Sequence, residues 1–316
     1  MYRKEIKVVD CTIRDGGLMN NWRFDDDFVK TIYHSCVEAG VDYMEIGYKS
    51  SEKSYSRAEN GPWKFCDEKD LRRIVGDNKT NTKISVMIDI GRIELQDIKP
   101  KKDSLIDMIR VACYVHQMDK AIQHAEYCLD KGYEVTINLM SVSKVIDTEL
   151  DEALKDIAKS RVPIFYLVDS FGSLYCEQIE ALVKKYQEAL PNKTIGIHMH
   201  NNMQLAFSNT ITGIIHGCNM LDATFMGIGR GAGNCPMECL IAFLKNPKYR
   251  LLPVLDAIQK QLLPLQKTID WGYHIPYLIT GSLNEHPKAA LEWMNTEKKN
   301  DFVGFLKSMH DKELLE

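Results

Sequence analysis

Apolar positions along the chain fall into two alternating rhythms. Runs that are apolar almost throughout appear at IKVVD (6–10), YMEIG (43–47), ISVMI (84–88), MIRVA (108–112), EVTINL (134–139), PIFYLV (163–168), TIGIHM (194–199) and MLDATF (220–225). Segments this short and continuous predict strands buried on both faces, as in a parallel sheet. Longer amphipathic stretches separate them. DDDFVKTIYHSCVEAG (25–40) opens with an acidic turn and closes on glycine, which are helix start and stop signals, and MDKAIQHAEYCLDKG (118–132) closes in the same way. Eight such units over residues 1–245 predict a (β/α)8 TIM barrel as the catalytic domain. A doubly wound sheet is the weaker alternative, because it usually has fewer strands. LLPVLDAIQKQLLPLQ and the segments beyond it read as helical, so residues 246–316 are expected to form a short helical C-terminal extension that covers the barrel or an oligomer interface.

In a barrel, chemistry sits at the C-terminal ends of the strands. The first strand runs out into Asp10, Thr12, Arg14 and Asp15, with Gly16-Gly17 reading as a hinge; the second contains Glu45 and leads to Tyr48. The third reaches Asp89, the fifth contains Asn138, the sixth ends at Asp169, and the seventh ends in IHMHNN. Side chains alternate along a strand, so His198 and His200 face the same way. A lone strand histidine is more often a core or surface residue than a ligand. Two at this spacing on a catalytic rim point to a metal, and Asp15 supplies the carboxylate of a facial set with open positions. Such a metal can hold a 2-oxo acid, and Arg14 beside it would stabilise the enolate formed when the neighbouring C–C bond is made or broken. An isolated Arg-Asp pair would otherwise be a surface ion pair in a turn.

Other positions carry two readings. Glu45 inside an apolar strand is expensive unless paired, so it is expected to hold Arg14 or another base, close enough to bear on substrate. Asn138 and Asp169 are candidate substrate-binding residues; Asp169-Ser-Phe-Gly is otherwise a turn. Gly227, Gly229 and Ala232 fit G-x-G-x-x-A, but no strand-helix-strand unit with a ribose-binding acid follows, which argues against a dinucleotide reading. They allow a tight turn with Asn234 or Cys235 capping the next helix and Pro236 in its first turn, and Asn234 can also reach back as a further ligand. The polar loop 48–65 is either a solvated excursion or a lid carrying Lys49, Lys53 or Arg57. In WGYHIPYLITGSLNEHP, Tyr273, His274 and Tyr277 either reach over the barrel mouth or pack, and packing is favoured.

Composition narrows the class. The 316 residues are 45% apolar and 27% charged, with a net charge of −4 and no basic stripe, which excludes a nucleic-acid footprint. No apolar run reaches the roughly 20 residues a membrane span needs. The charged start MYRKEIKVVD runs straight into a strand-like segment and is not expected to be a signal peptide. Nine cysteines without a C-x-x-C pair argue against a disulfide framework or structural zinc, so a cytoplasmic setting is expected.

Together, DCTIRDG on the first strand, IHMHNN on the seventh and GRGAGNCPME after the eighth resemble the DRE-TIM metallolyase superfamily, the 3-hydroxy-3-methylglutaryl-CoA lyase-like TIM barrels. IHMHNNMQLAFSNT and GAGNCPME look most like its 4-hydroxy-2-oxovalerate aldolase branch, over residues 5 to 245. The resemblance implies a divalent-metal-dependent carbon–carbon lyase acting on a 2-oxo acid through a pyruvate-type enolate. Asp15, His198 and His200 look like its metal ligands, Asn234 resembles a ligand of the lyase branch, and Arg14 looks like the enolate-stabilising arginine. The metal is then Mn²⁺ or Mg²⁺, less commonly Zn²⁺ or Co²⁺.

Two departures matter. The aldolases carry a basic histidine soon after RDG; here Leu18 stands in RDGGLMNNW, so Tyr48, Asp89 or a metal-bound water must serve as acid or base. The aldolase tail that meets a partner aldehyde dehydrogenase has no obvious match in this shorter extension, which leaves that partner open, while a homo-oligomer is expected. Two other readings stay in view. One is an acyl-CoA condensing synthase of the isopropylmalate or homocitrate type; the other is a non-catalytic barrel that binds a metal–keto acid complex.

Overall fold

The computed structural model of the protein describes residues 3–313, with side chains through residue 310. Eight strands close into one parallel barrel in sequence order: β1 (Lys7–Asp10), β2 (Tyr43–Tyr48), β3 (Lys83–Asp89), β4 (Met108–Cys113), β5 (Glu134–Leu139), β6 (Ile164–Asp169), β7 (Thr194–Met199) and β8 (Met220–Ala223). β1 pairs with β2 on one side and β8 on the other, so the sheet has no free edge. Every apolar run singled out in the sequence is one of these strands, displaced by a residue or two at its ends. MLDATF is the least regular, because its strand stops at Ala223 and Phe225 already belongs to a short 3-10 turn.

Helices return the chain along the barrel, α1 (Thr12–Asn20), α2 (Asp26–Ala39), α3 (Glu68–Val75), α4 (Met118–Asp130), α5 (Asp147–Lys159), α6 (Cys176–Ala189), α7 (Ala206–Ile215) and α8 (Met237–Leu244), except between β3 and β4, which are joined by two short 3-10 turns, Leu95–Asp97 and Lys101–Asp103. α2 begins where its acidic turn predicts, with the Asp25 side chain accepting from the Phe28 amide, and ends on Gly40 at φ 74°. Beyond the barrel come α9 (Leu251–Ala257), α10 (Leu263–Leu265), α11 (Ile275–Ser282), α12 (Lys288–Met294) and α13 (Phe302–Glu313). α9 lies back along α2, where the Ser35 hydroxyl donates to the Pro253 carbonyl. α11 to α13 gather a small apolar cluster of their own, including Tyr277, Ala290 and Phe305. None of the helices among the described residues is long and apolar enough to cross a membrane.

The barrel interior decides where chemistry can go. Alternation along β2, β4, β6 and β8 turns Tyr43, Met108, Ile164 and Met220 inward as an apolar base. Two residues further along each strand, the same face carries Glu45, Arg110, Tyr166 and Asp222. Arg110 bonds to both carboxylates and lies 4.5 Å from the centre of the Tyr166 ring. Barrel interiors are usually filled at this level by branched aliphatic side chains. Gly196 of β7 leaves room for the Tyr166 ring, since a Cβ there would sit 2.4 Å from it. The charged tier is the floor on which the site stands.

Candidate active site

The Arg14–Asp15 pair is neither on a hinge nor at the surface. The chain turns helical straight after β1, because the Thr12 hydroxyl donates to Asp10 at 2.5 Å and accepts from the Phe225 amide at 2.9 Å. Arg14, Asp15, Gly16 and Gly17 are therefore the buried middle of α1. The two glycines serve packing rather than a turn. A Cβ on Gly17 would lie 2.0 Å from the Trp22 ring, whose N–H donates to the Arg14 carbonyl at 2.9 Å. The indole thus seats against α1 and fixes the helix that presents both functional side chains.

Asp15, His198 and His200 offer ligand atoms that all lie within 4.8 Å of one another. His198 donates Nδ1–H to Asp222 at 2.9 Å, which leaves Nε2 bare, 3.3 Å from Asp15. Burial holds His200 well below the usual imidazole range, so it is neutral and able to ligate. Burial alone would raise Asp15, but the Arg14 guanidinium and the neighbouring His198 and His200 rings outweigh it and keep the carboxylate well below its ordinary range. Burial would likewise lower His198, yet the Asp15 and Asp222 carboxylates on either side of the ring hold it above the ordinary value. Both Asp15 oxygens, His198 Nε2 and Asn234 Oδ1 are buried without a hydrogen-bond partner. Buried polar atoms left unpaired are costly, and here they converge as an acceptor set of the kind a divalent cation takes. The residues present fit a metal.

Cys11, His198 and Asp222 form a second cluster of ligand type. The Arg110 guanidinium already fills it, donating to Cys11 Sγ at 3.4 Å and to Asp222 at 2.5 Å. That group is therefore a support rather than a second centre.

The support closes on itself. Arg14 Nε donates to Glu45 at 2.6 Å, Glu45 meets Arg110 at 3.1 Å, and Arg110 meets Asp222. Asp222 holds His198, and Arg14 Nη1 returns to Asp15 at 3.4 Å. Two guanidinium groups face three carboxylates in this ring, leaving one negative charge in excess beside the ligand atoms. Each partner is desolvated, so removing any one leaves a buried charge unmatched.

Above the ring opens a cavity of about 300 Å³ with Arg14, Asp15, His198 and His200 at its floor. Tyr48, Asp89 and Asn138 line its walls, as does Leu18. Burial pushes the Asp89 carboxyl up, with Lys64 and Arg14 opposing. Burial and Asp89 together push the Tyr48 phenol far up, so it keeps its proton. Asn138 is oriented by the Thr136 hydroxyl at 2.6 Å.

Glu45 and Asp169 do not line the cavity, contrary to a direct role on substrate. Glu45 lies beneath it between two arginines, and Asp169 accepts from the Ser173 and Leu174 amides, tying down the loop after β6. Its neighbour Ser170 lines the cavity instead. Asn234 bridges to His200, with its Nδ2 donating to the Ile228 carbonyl at 3.0 Å. Neither Asn234 nor Cys235 caps α8, whose N-cap is Pro236.

The loop after β2 turns its expected cations away. Lys49 pairs with Asp67, Lys53 with Glu94, and Arg57 with Glu52 and Asp67. Lys64 is buried instead, its ammonium 3.9–4.1 Å from the ring centres of Trp22, Tyr48 and Tyr55. In the extension, Tyr273 and His274 line a separate hollow and Tyr277 is packed in the apolar cluster.

The sequence pattern did not point to Arg110, Asp222 or Arg230. Arg110 and Asp222 share the signal that exposed Glu45, a charge inside an apolar strand. Arg230 is camouflaged in a glycine run.

The HMGL-like family model matches residues 5–265. Among known proteins, the chain is 32% identical over 260 residues to an oxaloacetate decarboxylase of Mycobacterium tuberculosis, spanning 81% of this chain and 74% of that one. It is 30% identical over 268 residues to a 4-hydroxy-2-oxovalerate aldolase of Thermus thermophilus, spanning 82% and 75%. The N-terminal domain of an aldolase-type protein from Bacteroides vulgatus superposes with a TM-score of 0.77 at 29% identity, covering 94% of this chain and all of that domain. Hydroxymethylglutaryl-CoA lyase from Pseudomonas aeruginosa shares the fold, with a TM-score of 0.69 at 15% identity over 84% of this chain and 95% of that one. The chain belongs to the HMGL-like family, within the DRE-TIM metallolyases and on their aldolase branch.

Proposed function

We propose that the protein is a divalent-metal-dependent lyase that splits a 4-hydroxy-2-oxo acid into pyruvate and an aldehyde. The observation that carries this reading is the Asp15, His198 and His200 acceptor set at the foot of a cavity whose floor also presents the Arg14 guanidinium. Asp15, His198 and His200 would hold the ion, with Asn234 as a further ligand. Once bound, such an ion polarises the C2 carbonyl of the 2-oxo acid and offsets charge on its oxygen.

The chain supplies the rest. Asp89, raised by burial, takes the proton from the C4 hydroxyl. The C3–C4 bond breaks, its electron pair moves into the C2–C3 bond, and the C4 fragment leaves as the aldehyde. Negative charge then builds on the C2 oxygen, opposite Arg14, which is locked in place by Glu45 and cannot turn away. Tyr48, which keeps its proton, or the newly protonated Asp89 donates to C3 and completes pyruvate. Leu18 fills the place of the helix-borne base with an apolar wall, which leaves Asp89 as the carboxylate of the cavity wall free to act.

A second reading is favoured by that same leucine. Loss of CO2 from a 2-oxo diacid gives the same enolate without prior proton removal, and one relative is an oxaloacetate decarboxylase. Metal-dependent exchange of deuterium into the pyruvate methyl group tests the enolate common to both. Exchange in the wild type that disappears in His198→Ala and His200→Ala supports it; no exchange with Mn²⁺, Mg²⁺, Co²⁺ or Zn²⁺ counts against it.

A further inference from the structure

Arg230 enters the cavity from the loop after β8 without a carboxylate partner among the described residues. Its contrast with the other arginines is sharp. Arg14 and Arg110 are each clamped by two carboxylates. Arg92, also at the rim, bonds to the Tyr55 hydroxyl and shares its wall with Asp89. Arg230 has only a backbone carbonyl, that of Ser170 at 3.1 Å, and one ring nitrogen of His286 at 3.0 Å, while its buried Nε has no partner.

The histidine contact does not satisfy it. The Lys288 amide and Arg230 Nη1 each lie 3.0 Å from a ring nitrogen of His286, Nδ1 and Nε2 respectively, and a neutral ring offers one acceptor to these two donors. Burial and Arg230 push His286 down to about 4, so at neutral pH the ring is uncharged. The Lys288 amide and the guanidinium thus compete for one acceptor. The ring is held there by the edge of Phe171, 5.7 Å away. A guanidinium short of acceptors on the wall of a substrate cavity makes a receptor for an anionic oxygen.

We infer that Arg230, backed by His286, forms a carboxylate subsite at the rim, so that the substrate is a 2-oxo diacid whose oxo acid end lies over Arg14 and whose far carboxylate meets Arg230. The inference rests on the 2-oxo acid reading above and narrows it. One guanidinium beside a neutral ring matches a single negative charge, which favours a carboxylate over a phosphate dianion. In the cleavage reaction the far carboxylate then leaves as part of the aldehyde half.

Binding of unreactive pairs tests this without turnover. Mn²⁺-loaded protein is titrated calorimetrically with 2-oxoadipate against 2-oxohexanoate, and with 2-oxoglutarate against 2-oxovalerate. In at least one pair the diacid is expected to bind about 10- to 100-fold more tightly, as a charge-assisted hydrogen bond gives. Arg230→Gln should erase that gap and leave the monoacid affinity in place; His286→Ala should narrow it. Equal affinities in the wild type, or a gap that survives Arg230→Gln, overturns the inference. So does a loss of both affinities in Arg230→Gln while Mn²⁺ binding is retained. The methyl exchange of pyruvate reports separately on the parent reading. Exchange without a diacid gap sinks the subsite alone, and a gap without exchange sinks the lyase reading alone.

Discussion

His198 donates Nδ1–H to Asp222 at 2.9 Å, and that one bond fixes which ring nitrogen faces Asp15. Asp222→Asn can present an amide N–H in place of an oxygen, which would turn the imidazole to its other tautomer. It also leaves Arg110 with one carboxylate instead of two. We expect Mn²⁺ affinity to fall about 10- to 100-fold, the usual cost of losing such a supporting carboxylate. Titration by electron paramagnetic resonance checks it, and unchanged affinity would mean that the tautomer is fixed elsewhere.

Arg14 should affect turnover far more than metal binding. Arg14→Lys keeps a positive charge near Asp15 but loses the fork that reaches Glu45 and the developing oxyanion together. The turnover number is expected to drop about 100- to 1,000-fold, as when one preorganised donor is removed, with Mn²⁺ affinity nearly unchanged. Metal binding lost in parallel with turnover would instead make Arg14 a prop for Asp15.

The strands were legible because burial on both faces leaves a continuous apolar run, and His198 and His200 were legible because their spacing is that of one strand face. The floor was not. Glu45, Arg110 and Asp222 sit on three different strands, and each alone reads as an isolated charge in an apolar segment. Only barrel closure shows that the arginine bridges the two carboxylates. The local structure around Arg14 departs from its sequence pattern for a related reason. Gly16-Gly17 normally signals a turn, but here the missing side chains admit Trp22 and Ile228 against a helix, a tertiary demand that overrides local propensity.

That packing makes a prediction of its own. In an unobstructed helix, Gly17→Ala would stabilise by up to about 1 kcal/mol. Against the Trp22 ring it should destabilise by about 1–3 kcal/mol, the range for overpacking a filled site. Urea unfolding measures it. Combining it with Trp22→Leu should recover part of the loss, whereas additive losses would place the clash elsewhere.

Asp89 separates the two chemistries. If it removes the C4 hydroxyl proton, Asp89→Asn lowers aldol cleavage about 100- to 10,000-fold. Decarboxylation of oxaloacetate, which needs no such base, should be nearly spared. Because burial raises this carboxyl, the acid limb of the wild-type cleavage profile should lie above the ordinary carboxylate range. Equal losses in both reactions would remove Asp89 from the role of base.

Asp10, at the end of β1, gives a pH test of stability away from the metal ligands. Burial raises its carboxyl from 3.8 to about 7, with the Thr12 hydrogen bonds opposing, and its Oδ2 has no hydrogen-bond partner. The folded state therefore holds the proton more tightly than the unfolded chain. The resulting stability is fully present below pH 3.8 and is lost as pH rises toward 7, when the buried group must ionise. Asp10→Asn keeps an oxygen for the Thr12 hydroxyl and never ionises. Its stability relative to the wild type should grow between pH 4 and pH 8, by at most about 4 kcal/mol. Urea midpoints for both proteins across that range decide it. Parallel curves would show that Asp10 is charged at the end of β1 throughout, with a compensating partner yet to be found.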